Sequence, residues 1–162
     1  MITKKTKALV LTGFSFLIIL MILSCASGGV TKDNASFSDV QGRDWVLVEL
    51  KSGANSISIK RPAANGMGEI YTLKFDADRL SGVGAPNRYF APFTAGDGHT
   101  LSIGMIAGTL MAPLFENEDL KEQEFFGYLN RVNRWELVNK KLELYSSSEN
   151  NTETILVFIP AL

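Results

Sequence analysis

The chain has 162 residues, carries 16 basic against 17 acidic side chains, is 46% apolar and contains one cysteine. That length suits one domain and is short for two, and a near-neutral surface of mixed sign argues against nucleic acid or anionic lipid as the main partner. One cysteine excludes an intrachain disulfide, so a hydrophobic core must hold the domain together.

Lys4, Lys5 and Lys7 precede the uncharged run Ala8 to Leu23, which ends at the small residues Ser24, Cys25, Ala26 and Ser27. This is the layout of an export signal. The apolar run is short for a transmembrane span, which needs about 20 apolar residues. A cysteine directly after such a run resembles the bacterial lipobox, in which that cysteine is acylated and becomes the first residue of the mature chain. Leu23 stands where the motif usually carries Ala, Ser or Thr. The alternative is an uncleaved anchor with an incidental cysteine, and both readings place the domain outside the cytoplasm. Residues 1–24 are therefore expected to be a lipoprotein signal peptide, and residues 25–38 a flexible tether with acylated Cys25. Acyl chains contribute about 0.8 kcal/mol per buried methylene, enough to hold the chain on a membrane with no further membrane-active feature. Without its first 24 residues the chain keeps 13 basic and 17 acidic side chains, a net charge of −4.

The remaining 39–162 read as one domain. Trp45 to Leu50 is β-branched and aromatic enough for a first strand, and Ile57 and Ile59 alternate with serines in a second. The segment 61–69, RPAANGMGE, reads as an exposed loop. Tyr71, Leu73 and Phe75 alternate with polar residues, and Asp76-Ala77-Asp78 turns the chain toward Leu80 in the next strand. Residues 81–90, SGVGAPNRYF, form a constrained corner in which Gly82 and Gly84 permit positive φ and Pro86 restricts it. After the turn Ala95–Gly98, Leu101, Ile103 and Met105 alternate. Gly108 to Pro113 leads to the one good helix, for which Asn117 is the expected N-cap; Phe125, Leu129 and Val132 fall at i, i+4 and i+7 on one apolar stripe. Trp135 and Leu137, then Leu142 and Leu144, flank an Asn139-Lys140 turn, and Ile155 to Ile159 is continuous enough for a central strand. The class is α+β, mostly β.

In order and spacing these signals resemble the META domain, the fold of the HslJ-type heat-inducible envelope proteins. The residues that carry the resemblance are Gly42 ahead of Trp45 and Leu47, Phe75 before Ser81-Gly82, Gly84 with Asn87-Arg88-Tyr89, and Thr109 with Met111-Ala112; Glu122, Phe125 and Leu129 follow on the helix, then Trp135, Leu142 and Leu144. The resemblance implies a curled antiparallel sheet, a partial barrel, with one main α-helix packed on it. It supplies no catalytic residues and associates such proteins with stress response, novobiocin tolerance, motility and virulence. The family usually carries Gly-Cys-Asn at the corner and Met-Ala-Cys before the helix, whereas this chain has Pro86-Asn87 and Ala112-Pro113. If the family pair lie close or bond, losing both is more coherent than losing one, since an odd exported thiol is a liability; proline can instead stiffen each corner.

Candidate chemistry is sparse. His99 is the only histidine and follows a Gly-Asp-Gly turn, and one histidine with no spare cysteine makes no ordinary zinc site. Glu116, Glu118, Asp119, Glu122 and Glu124 lack the alternating oxygens of a calcium loop and read as a dipole-favoured helix start. Asn87, Arg88 and Tyr89 form a candidate binding corner for a peptide or glycan; the competing reading has Asn87 bracing the turn and Tyr89 in the core. The expectation is a noncatalytic, lipid-anchored envelope protein without metal or cofactor. It touches the membrane through Cys25 and binds another envelope protein or supports the stress response. The alternative is a small-ligand or drug-binding module using the concave face of the sheet. Ala26 is not an acidic retention residue, which favours the outer membrane in a cell with two.

Overall fold

The computed structural model describes residues 35–60, 68–112, 118–148, 150 and 152–161. The expected signal, Cys25, most of the 61–69 loop, Pro113, Glu116 and Asn117 lie outside the described residues. Among the described residues, ten strands and one α-helix follow in order: β1 Trp45–Ser52, β2 Asn55–Ser58, β3 Thr72–Asp76, β4 Arg79–Val83, β5 Arg88–Ala95, β6 Leu101–Ile103, β7 Ala107–Gly108, α1 Glu122–Asn130, β8 Val132–Val138, β9 Lys141–Ser147 and β10 Glu153–Pro160. The sheet runs β6-β5-β4-β3-β1-β10-β9-β8, with β2 added to β1 and β7 to β5. Every pair is antiparallel. A single bridge from Thr100 to Arg134 brings the two ends together, so the sheet curls into a nearly closed barrel.

Period-2 alternation decides which side chains fill the barrel. Trp45 and Leu47 point inward on β1, and the register then shifts between Leu47 and Glu49. The extra residue resets the alternation so that Leu50, rather than Glu49, returns to the core. Asn139 (φ 51) and Lys140 (φ 63) make the two-residue hairpin turn between β8 and β9, a left-handed pair that matches strand twist. Tyr71, Phe75, Phe125 and Phe158 join Trp45 in a single core. The concave face is therefore packed solid.

Three expectations are corrected. The tether was expected to run through Ser38, yet Phe37 lies 5.2 Å from Phe75, 5.5 Å from Phe93 and 5.3 Å from Trp135, ring to ring. A half-buried aromatic ring packed against the core gives the chain a reason to stay put that the surrounding small polar residues conceal. The helix begins at Glu122 with Lys121 as N-cap, because Glu124 reaches back to accept the Lys121 N–H at 3.0 Å. It ends at Asn130, and Val132 opens β8, so only Phe125 and Leu129 of the expected stripe are helical. Met105 leaves the alternation of β6 and is 88% exposed, since the Gly104 N–H bonds the Pro92 carbonyl at 2.8 Å and bends the chain toward β7.

Gly127 sits inside α1, and an added methyl would meet nothing nearer than the flexible guanidinium end of Arg131 at 3.4 Å. Gly127→Ala is therefore expected to stabilise the protein by about 0.5–1 kcal/mol. A higher urea midpoint with an unchanged slope is the measurement that checks it.

Candidate functional site

The link from β4 to β5, Gly84 to Asn87, includes a cis Ala85-Pro86 bond and ends in the buried polar side chain of Asn87. Glu122, in the first turn of α1, aims its carboxylate into this corner. One oxygen accepts the N–H groups of Ala85 (2.6 Å) and Asn87 (2.7 Å), and the other accepts the Asn87 side-chain amide (2.6 Å). Gly84 makes room for it: a Cβ there would lie 2.5 Å from a Glu122 carboxylate oxygen. Asn87 is 6% exposed and bonds in a second direction as well. Its Oδ1 accepts the Thr109 hydroxyl (2.8 Å) and the Met111 N–H (2.7 Å), while Nδ2 also donates to the Met111 carbonyl (3.2 Å).

Of the candidate corner, Arg88 alone faces solvent. Alternation along β5 turns Tyr89 inward, where its hydroxyl donates to the Thr72 carbonyl at 2.8 Å and its ring packs on Phe125 and Phe126. Arg88 points outward, as does Phe90, which lies under the Arg79 guanidinium at 4.9 Å. Glu122 was missed as a partner of this corner. Its sequence signals, an acid in a first helical turn and a place in the family pattern, do not say where the carboxylate points. The other acids disperse too: Glu124 caps α1, and Asp119 accepts the Lys60 N–H at 3.2 Å. His99 stacks on Trp135 with ring centroids 4.5 Å apart. Among the described residues no group of three His, Cys, Asp or Glu side chains is placed to hold a metal ion.

Beside this network lies a cleft of about 700 Å³. One wall is the 106–112 segment and the other is α1, contributing Lys121, Gln123 and Phe126, with Tyr71 and Asn87 between them. Leu110 is fully exposed at its border and Met111 is 53% exposed.

Burial pushes the Tyr71 hydroxyl up to about 12, and the carboxylates of Glu122, Glu124 and Asp119 add to the effect. Tyr89 is raised by burial, and Tyr145 by burial and then by its hydrogen bond to Glu143. All three phenols are held protonated, so their contribution to stability is complete below the ordinary tyrosine value near 10. It is lost as pH rises above that value, where the unfolded chain ionises first. The urea midpoint is expected to hold from pH 8 to 9.5 and to fall steadily toward pH 12, with a shallower fall in Tyr71→Phe; a flat profile through pH 12 would refute it.

The META domain family profile matches residues 38–158. The chain belongs to the META domain family. No curated protein sequence matches it. A protein from Burkholderia xenovorans, solved by NMR, is similar in structure: TM-score 0.60 at 19% identity, over 99% of this chain and 99% of that one. At that identity the likeness speaks to fold alone. In this META domain, many of the residues that carried the resemblance fall into two physical groups. Trp45, Phe75, Phe125, Leu129, Trp135, Leu142 and Leu144 form core, while Gly84, Asn87, Thr109, Met111 and Glu122 form the corner network. No helix among the described residues is long and apolar enough to cross a membrane.

Proposed function

We propose that this META domain is a noncatalytic binding protein of the cell envelope, anchored by acyl chains on Cys25, that engages another envelope protein at the cleft between α1 and the 106–112 segment. The cleft with its exposed apolar border, Leu110 and Met111, carries this reading. The polar side chains that chemistry could have used support it from the other side. Asn87, Glu122, Tyr71 and Tyr89 are committed to structural hydrogen bonds. Core side chains fill the concave face, and the same cleft is the place this structure offers a small ligand. In a cell with two membranes, Ala26 after the acylated cysteine favours the outer one.

A photo-crosslinking residue at Leu110, in the full chain in its own membranes, is expected to trap a reproducible protein adduct. Absence of any protein adduct would overturn the partner reading. Cys25→Ala is expected to abolish metabolic labelling by a fatty-acid analogue; undiminished labelling would remove the lipid anchor from the proposal.

A further inference from the structure

Strand β7, Ala107–Gly108, and the residues that continue it to Met111 lie outermost on their side of β5, and their hydrogen bonds reveal which way the backbone faces. Tyr89 is opposite Gly108 and Phe90 opposite Ala107. The Thr109 N–H donates to the Arg88 carbonyl at 3.0 Å, which marks Arg88 and Thr109 as a hydrogen-bonded pair. Such pairs alternate with non-bonded ones along an antiparallel ladder, so Phe90–Ala107 is bonded and Tyr89–Gly108 is not. The Gly108 N–H and carbonyl therefore point away from β5. Beyond the last ladder bond the Asn87 amide stands in for backbone, bonding both the N–H and the carbonyl of Met111. Ala107, Thr109 and Met111 are thus tied inward, and Ile106, Gly108 and Leu110 present the outer edge. Among the described residues no strand pairs with that edge.

Resting on the partner-binding reading above, we propose that the partner supplies an extended peptide segment, bearing an acidic residue, that adds as a strand to the outer edge of Ile106–Leu110 inside the cleft. An unpaired strand edge is a template for another backbone. Ile106, Leu110 and Phe126 offer apolar contacts along the cleft. The charge also favours such a segment. Lys121 lines the cleft and makes no ion pair among the described residues, while the nearby Glu122 carboxylate is taken up by three N–H donors. Those N–H dipoles offset the Glu122 charge in part, and the Lys121 ammonium is the cation left to meet a peptide carboxylate. The 106–112 segment and α1 both line the cleft, so the added strand lies between them. Five residues from Ile106 to Leu110 cover about 14 Å, the length of a short added strand.

The test selects phage-displayed random dodecapeptides on the full chain in detergent and follows the tightest synthetic peptide by amide hydrogen exchange. Binding is expected to slow exchange at Gly108 and Leu110. N-methylating the peptide at alternate positions should weaken binding about tenfold in one parity and little in the other, the loss of about one hydrogen bond. Lys121→Glu should weaken binding and remove the preference for an acidic peptide residue. Peptides that crosslink at Leu110 yet leave Gly108 and Leu110 exchange unchanged would overturn strand addition and leave the partner reading standing. So would protein adducts at Leu110 in membranes with no peptide selected. No peptide and no protein adduct would overturn both.

Discussion

Glu122→Ala is expected to lower stability by about 2–4 kcal/mol, read as a drop in the urea midpoint with little change in slope. The carboxylate accepts two backbone N–H groups of the corner and the Asn87 amide, all within 2.7 Å. Bonds to a charged acceptor are worth about 1.5–3 kcal/mol each in isolation, and donors left unmade in a half-buried corner cost about 1–3 kcal/mol. Water entering from the neighbouring cleft recovers part of this, which keeps the total below the simple sum. Glu122→Gln should fall between wild type and alanine, because it keeps one acceptor but turns an NH₂ group toward N–H donors. A loss below about 0.5 kcal/mol for the alanine variant, the scale of an ordinary surface substitution, would show that the corner holds its shape without the helix. The consequence reaches the binding reading: Asn87 bonds both Glu122 and Met111, so loosening the carboxylate should also raise amide exchange along 109–111.

Gly82→Ala is expected to be at least as damaging, with a loss of about 3 kcal/mol or more and poor recovery of folded protein. A Cβ at Gly82 would sit 2.0 Å from the Thr72 carbonyl oxygen and 2.9 Å from Cε1 of Tyr89. The first contact is backbone, so no rotamer change relieves it, and strand displacement is the only remedy. That carbonyl also accepts the buried Tyr89 hydroxyl, so moving it breaks a second interaction. Gly68→Ala is the control, since nothing lies within 4 Å of a Cβ there, and it is expected to change stability by no more than about 0.5 kcal/mol. Equal behaviour of the two variants would refute the steric account.

Much of the barrel was legible because its instructions are local. Leu73 and Phe75, and Leu142 and Leu144, alternate with polar residues, a period of two visible in any short window, while Ile155 to Ile159 reads as a strand by its unbroken apolar run. The Asn139-Lys140 turn was legible for the same reason, as were the paired strands that it joins. The β1 bulge was not, because one extra residue in a strand leaves an ordinary β-rich string and is defined only by its partner. Helix α1 was placed correctly but bounded wrongly, since polar residues upstream of Glu122 satisfy the rules for a helix start as well as Lys121 does.

The corner shows the division most clearly. Residues 84–87 announced a constrained turn by themselves, since Gly-Ala-Pro-Asn restricts backbone wherever it occurs. That Asn87 would bond Glu122, Thr109 and Met111, 22 to 35 positions away, depended on a helix and an edge strand arriving at the same place. Likewise Arg88 and Tyr89 are adjacent in sequence and opposite in fate, because the pleat sends one to solvent and the other to Phe125. The sequence by itself determined the strands, the turns and the family, all of which depend on residue type and short spacing. Only the tertiary structure decided which polar groups are spent holding the corner and which backbone edge is left open. Hydrogen-bond satisfaction is settled between distant segments, and no local pattern records it.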